Sequence, residues 1–186
     1  MQYFIHYQAQ DVMTPDPITV DAGDTLEKVE QIFEEHDFNG VPVVDEKNRL
    51  LGVITKLDLL KVSRPVNDNR IPLYPAIMSE SVSKVMTEKP ALVRPETPLT
   101  TVLEVMIEKK YKSLPVVENH RVVGIIAREN ILVALHKASK GMIPARLIAP
   151  EKRGLLEPDR VGDDHSENSE KSQYEPKKEQ SIEKRL

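Results

Sequence analysis

The sequence contains no cysteine, so disulfide frameworks, thiolate chemistry and cysteine-bound zinc are excluded. It has no surplus of basic charge. Its 26 lysines and arginines face 30 aspartates and glutamates, a formal net charge of −4, whereas a dedicated nucleic-acid binder presents a basic field. It has no long apolar run either. The longest uncharged stretch, Met1 to Gln10, is ten residues, and a membrane span needs about 20 apolar ones. That stretch also lacks the basic start and apolar centre of a secretory signal. The expectation is a cytoplasmic protein with neither a membrane nor a nucleic acid as partner.

Catalytic signatures are missing too. There is no H-E-x-x-H, no G-x-x-x-x-G-K-[ST] loop and no G-x-S-x-G elbow. The five histidines, His6, His36, His120, His136 and His165, lie far apart in sequence and fit no metal-ligand spacing. No metal site and no catalytic residue is expected, and the chain reads as a non-enzyme.

What is present divides into two regions. From Glu151 to Leu186, 18 of 36 residues are charged and only 6 are apolar. Such a segment buries too little surface to offset its chain entropy, so residues 151–186 are expected to form a disordered, charged flexible tail. The 150 residues before it have ordinary apolar content and can build a sizeable core.

Those 150 residues contain a duplication. At an offset of 73, Val12-Met13-Thr14 matches Val85-Met86-Thr87, Pro17 matches Pro90, Leu26 matches Leu99, and Pro42-Val43-Val44 matches Pro115-Val116-Val117. One residue is then lost in a turn. At an offset of 72, Arg49 matches Arg121, Gly52 matches Gly124 and Ile54 matches Ile126. Across the columns 12–44 and 49–60, 15 of 45 pairs are identical, far more than chance gives, and two copies make a duplication rather than a solenoid.

Each copy reads as a small α+β unit in the order strand, helix, strand, strand, helix. Ile18-Thr19-Val20 is predicted as a short strand. Asp24 with Glu27 gives a helix-start signature, and Leu26, Val29, Ile32 and Phe33 line one helical face. In the second copy Thr97 is the expected cap and Pro98 the first helical residue, followed by the stripe Leu99, Val102, Val105 and Met106. A hairpin comes next: Val41–Val44, a turn at Glu46-Lys47-Asn48, and Leu50–Ile54. Its counterpart is Leu114–Val117, a turn at Glu118-Asn119-His120, and Val122–Ile126. The second strand of each hairpin is almost wholly apolar, which predicts cover on both faces. A further helix is expected from Lys56 and from Arg128. Pro65, Pro72 and Pro75 make the joining stretch a linker or short helix rather than a strand. Met13 and Met86 stand at matched places, which points to shared packing.

This order, spacing and duplication resemble a tandem pair of CBS domains, the Bateman module, as found in stand-alone CBS-domain proteins. The resemblance spans roughly Gln8 to Lys137. It is carried by VMT-x-x-P in both copies, by GVPVV and SLPVV, and by GVITKLD with GIIAREN. It implies a first domain over residues 8–65, a linker over 66–82 and a second domain over 83–140, packed about a pseudo-twofold axis with two clefts between them. It further implies regulation rather than catalysis: adenosine-containing nucleotides of the AMP, ADP or ATP class held in a cleft, a homodimer, and an unknown protein modulated in trans. S-adenosylmethionine is a further ligand class of the family. The alternative is a dimerising interaction or scaffold module with vestigial clefts.

The family's ligand motif is intact at Gly52-Val53-Ile54-Thr55-Lys56-Leu57-Asp58. Asp58 can accept both ribose hydroxyls and Thr55 can donate to a ribose or phosphate oxygen at a helix start. The same Thr55-x-x-Asp58 spacing is also that of a capping box, and both readings stay open. The copy-two motif has Ala127 and Asn130, without the hydroxyl or the charge. By the family's pattern, the base pocket facing Asp58 draws on Pro90, Ala91, Tyr111, Lys112, Ser113 and Leu114, with Lys109, Lys110 and Arg128 adding positive charge nearby. The weaker second cleft would use Pro17, Ile18, Phe38, Asn39, Gly40, Val41 and Asn130, with His36 and Asp37 nearby.

Overall fold

The computed structural model describes residues 2–64 and 73–148. The expected tail, residues 151–186, lies outside the described residues, as do Pro65 and Pro72. The strands are β1 (Thr14–Pro15), β2 (Val20–Asp21), β3 (Gly40–Val44), β4 (Leu50–Thr55), β5 (Thr87–Glu88), β6 (Ser113–Glu118) and β7 (Arg121–Ala127). The helices are α1 (Leu26–Glu35), α2 (Lys56–Val62), α3 (Tyr74–Met78), α4 (Leu99–Glu108) and α5 (Arg128–Ser139). This is the α+β repeat order read from the sequence.

Two sheets form, β2-β3-β4-β5 and β1-β7-β6. Their edges show how the repeats combine, because each repeat lends its leading segment to the other. β5, from the start of the second repeat, pairs antiparallel with β4, and β1 pairs with β7 in the same way. Thr87 lies opposite Val53 and Thr14 opposite Ile125, matched positions in both cases. The backbone bonds repeat the symmetry. Ala9 N donates to Thr97 O at 2.9 Å, and its counterpart Val82 N donates to Asp24 O at 2.8 Å. Leu99 N donates to Tyr7 O at 2.9 Å, and Leu26 N to Glu80 O at 3.0 Å.

The cores follow the exchange. Leu26, Val29 and Phe33 of α1 and Val41, Val43 and Ile54 of the hairpin bury against Ile77, Met78 and Val82. Leu99, Val102 and Met106 of α4 bury with Leu114, Val116, Ile126, Ile131 and Ala134 against Phe4, Tyr7 and Ala9. Boundaries at residues 65 and 83 therefore divide the sequence but not the packing, and the short α3 sits in the first core. The other end of the fold is tied down as well. Arg146 donates to the Asp11 carboxylate at 3.0 Å and to the carbonyl of His6, and the Tyr7 hydroxyl donates to Met142 O at 3.2 Å.

The exchange explains the matched glycines and methionines. A Cβ built on Gly52 would lie 2.7 Å from Met86 Sδ and 2.8 Å from Thr87 O, and one on Gly124 would lie 2.5 Å from Met13 Sδ. Each methionine packs over the other copy's glycine.

The two hairpins meet at their turns. Asn48 Nδ2 donates to Val122 O at 2.9 Å, Val122 N donates to Asn48 O at 3.1 Å, and Arg49 pairs with its own counterpart Arg121. A contact between equivalent residues lies on the pseudo-twofold axis. Val44, Val117 and Val122 bury there with Leu50 alongside. The lost residue is explained at the same place. The second turn is a tight one with Asn119 and His120 both at positive φ, as a two-residue hairpin requires. The first turn is longer. Asp45 Oδ1 accepts from Lys47 N at 3.0 Å and Arg49 N at 2.8 Å, and the Arg49 amide and guanidinium hold the Asp45 carboxyl below the usual carboxylate range.

Three local expectations are corrected. The cap of α1 is Thr25, not Asp24, and α4 begins after Pro98, with Thr97 bonded instead to Arg94 N at 2.9 Å. The reason is tertiary, since the first amide of each helix bonds a carbonyl of the exchanged segment. The strand expected at Ile18–Val20 is Val20–Asp21, because pairing with Val43 and Val44 defines it. The second hairpin strands are also less covered than expected. Gly52 and Ile54 are buried while Val53 and Thr55 are only partly so, and β7 alternates likewise, because the outward face of each strand borders a cleft.

Overpacking a tight contact costs about 1–3 kcal/mol. Gly52→Ala meets the Thr87 carbonyl as well as a sulfur, whereas at Gly124 the three nearest atoms all belong to the flexible Met13 side chain. Gly52→Ala should therefore lower the unfolding free energy by about 1–3 kcal/mol and Gly124→Ala by less. Denaturant titration of both variants checks this, and equal losses would contradict the geometry.

Candidate functional site

The exchange leaves two clefts, each walled by both repeats. The first is a cavity of about 270 Å³. Thr55, Lys56 and Leu57 reach it from the start of α2, Thr87, Pro90 and Ala91 from the segment through β5, and Tyr111, Lys112, Ser113 and Leu114 from the entry to β6. The family-based expectation thus brings together Thr55 with Pro90, Ala91, Tyr111, Lys112, Ser113 and Leu114. Lys110 joins them, while Lys109 and Arg128 do not line the cleft. Arg128 turns back, its Nε donating to Tyr111 O at 2.8 Å and its backbone N to Lys112 O at 3.1 Å, which pins the loop carrying the pocket.

Asp58 is also outside the lining. It is 4 % exposed. Oδ2 accepts from Thr55 N at 3.0 Å and from Thr55 Oγ at 2.6 Å, Thr55 Oγ accepts from Asp58 N at 3.3 Å, and Oδ1 accepts from Lys61 Nζ at 2.8 Å. This is the capping box that the spacing permitted. The carboxylate oxygen not engaged in the box holds only Lys61, whose side chain is 57 % exposed.

The second cleft, about 370 Å³, is lined by Pro17, Ile18, Phe38, Asn39, Gly40 and Asn130 as expected, together with Thr14, Asp16, Asp37, Ser113, Ile125, Ala127 and Glu129. Val41, also expected there, is absent from the lining and only 1 % exposed. Alternation along β3 turns it into the first core while Gly40 borders the cleft. Asn130 keeps half of the capping box, its Oδ1 accepting from Ala127 N at 2.8 Å.

The loss of the hydroxyl at Ala127 is offset in volume. Gly40 lies opposite Thr55 and Ser113 opposite Ala127. A Cβ on Gly40 would sit 3.2 Å from Thr55 Cγ2. One repeat pairs glycine with threonine, the other serine with alanine. Lys56 connects the two clefts: it lines the first, approaches Asp37 of the second at 3.4 Å and lies 5.8 Å from the Phe33 ring centre.

Asn39, expected at the second cleft, borders both, and Thr87, Val53 and Thr14 join the walls without having been singled out as site residues. Thr14 and Thr87 were visible as the last residue of each VMT triplet, but only the strand exchange carries them to the clefts. Among the described residues no group of histidines and carboxylates is arranged to hold a metal ion, and no helix is long and apolar enough to cross a membrane.

The family model of the CBS domain matches residues 9–64 and 82–137. This chain belongs to the CBS-domain family. Its CBS pair resembles the CBS-pair protein CBSX2 of Arabidopsis thaliana, whose crystal structure in complex with AMP is 27% identical, with a TM-score of 0.62 over 72% of this chain and 98% of that one. The CBS domain pair of protein MJ0100, in complex with 5′-methylthioadenosine and S-adenosyl-L-methionine, is 25% identical, with a TM-score of 0.59 over 71% of this chain and 98% of that one. Inosine-5′-monophosphate dehydrogenase of Methanocaldococcus jannaschii is 29% identical over 126 residues, covering 67% of this chain and 23% of that protein. The chain spans about a quarter of the length of the curated enzymes it matches.

Capping by a carboxylate and capping by an amide differ little in geometry, since Asn130 already occupies the Asp58 position. Asp58→Ala should lower the unfolding free energy by about 1–3 kcal/mol by orphaning the Thr55 amide, and Asp58→Asn by clearly less. Thermal and denaturant unfolding of the two variants measure the difference.

Proposed function

We propose that this CBS pair is a regulatory module that binds an adenosine-containing nucleotide of the AMP, ADP or ATP class in the first cleft. It thereby modulates a partner protein in trans, without catalysis of its own. The observation that carries the reading is the composition of that cleft. Tyr111 and the apolar Pro90, Ala91 and Leu114 offer a surface for a base, while Lys56, Lys110 and Lys112 supply positive charge with no carboxylate among the lining residues. The start of α2 adds favourable partial charge for an anion. A ribose diol would exchange with Lys61 for the outer oxygen of Asp58, displacing a solvent-screened ion pair of small worth. The AMP complex of the related CBSX2 supports the ligand class.

A charge-assisted hydrogen bond is worth about 1.5–3 kcal/mol, and each 1.4 kcal/mol is tenfold in affinity. Calorimetry with AMP, ADP and ATP should find one tight site per chain. Asp58→Asn, which keeps the helix cap, should weaken that site at least about tenfold. Lys112→Ala should weaken the nucleotides more than adenosine. Absence of binding by any of these would favour the scaffold reading.

The module should also dimerise. Leu57 and Leu60 of α2, Ile107 of α4, and Leu132 and Val133 of α5 are more than half exposed, and Leu60 and Leu132 are counterparts in the duplication. Light scattering should give twice the chain mass, and Leu60→Glu with Leu132→Glu should give a monomer. A parent that is monomeric at all concentrations would exclude the dimer.

A further inference from the structure

The two clefts are related by the internal duplication, so their walls can be compared position by position. The charges invert. Lys110 lines the first cleft, and its counterpart Asp37 lines the second. Lys112 has Asn39 as its counterpart. Leu57 of the first has Glu129 of the second. Lys89, next to Pro90 at the first cleft, has Asp16 as its counterpart, and Asp16 lines the second. The first cleft is thus lined by three lysines and no carboxylate, and the second by Asp16, Asp37 and Glu129 with no basic residue. Among the described residues the cation paired with Asp37 is Lys56, which belongs to the first wall.

A cleft lined by charge of one sign focuses its field on whatever enters. The lining of the second cleft otherwise suits a ring system, with Phe38, Ile18 and Ile125 as apolar walls and the Asn130 side chain as a hydrogen-bonding group. We infer that the second cleft takes a phosphate-free, positively charged ligand of nucleoside size and rejects the phosphate-bearing occupant of the first. The two clefts then read two different ligands, rather than one ligand with unequal strength. This inference rests on the nucleotide reading of the first cleft.

The test uses three probes that share adenosine and differ in the group, and so the charge, at the 5′ position: 5′-amino-5′-deoxyadenosine, adenosine and AMP. Titrations on the full chain carrying Asp58→Asn, which weakens the first cleft, isolate the second. Affinity there should fall in the order amine, adenosine, AMP, spanning at least about tenfold at low salt and narrowing at high salt. Asp16→Lys with Asp37→Lys should reverse the order. These substitutions place in the second cleft the residues its counterpart already carries, and Lys89 at φ 47° shows that lysine tolerates the backbone of Asp16 at φ 45°. An unchanged order in that double variant, equal affinity for AMP and the amine, or no binding of the amine overturns the inference. If instead AMP fails to bind the parent chain while the amine binds with the expected charge dependence, the nucleotide reading of the first cleft falls and the charge selectivity of the second stands.

Discussion

Each core is closed by residues that arrive from the other repeat, and most of the structure follows from this reciprocity. The first amides of α1 and α4 bond the carbonyls of Glu80 and Tyr7, and Met86 and Met13 lie over Gly52 and Gly124. Phe4, Tyr7 and Ala9 fill one core while Ile77, Met78 and Val82 fill the other. Neither repeat owns a complete hydrophobic interior, so neither is a separate folding unit in this chain. The clefts arise at the same crossing. Thr87 and Thr14, carried over on β5 and β1, become wall residues by the pairing that closes the cores.

Much of this was legible in the sequence. Alternation, helical stripes and turn residues located the hairpins and helices, and the duplication fixed their correspondence. What periodicity could not report was which copy a segment packs on. A buried valine looks the same whichever core receives it. The helix starts lie one residue from where local pattern places them for that reason, because the first amide of each bonds a carbonyl of the exchanged segment that no local pattern shows. The site divides in the same way. Residues within the family's motifs, such as Thr55, Tyr111 and Lys112, line the first cleft, whereas Val53, Thr14 and Thr87 join the walls only through the assembled fold. Val41, expected at the second cleft, lies outside its lining because strand alternation turns it into the first core. Asp58 is a matter of orientation: the spacing Thr55-x-x-Asp58 served both readings, and the side chain lies in the capping box.

The relation between the clefts shows how duplication frees one copy to change. Glycine opposite threonine in one repeat and serine opposite alanine in the other fill similar space, so the scaffold under both clefts is held while the polar groups move. Ser113 keeps a hydroxyl at the second cleft although Ala127 has none. The walls differ in sign of charge, because rim side chains are exposed and their replacement leaves the cores untouched.

Arg146 makes the two ends of the fold unequal in how they are fastened. Its guanidinium grips Asp11 and His6, and Asp11 Oδ2 in turn accepts from Gln8 N at 2.8 Å. Two residues further on lies Met13 over Gly124, and then Thr14 in the wall of the second cleft. The first repeat has no such clasp among the described residues. Residue 146 is therefore linked through Asp11 to the strand that borders the second cleft.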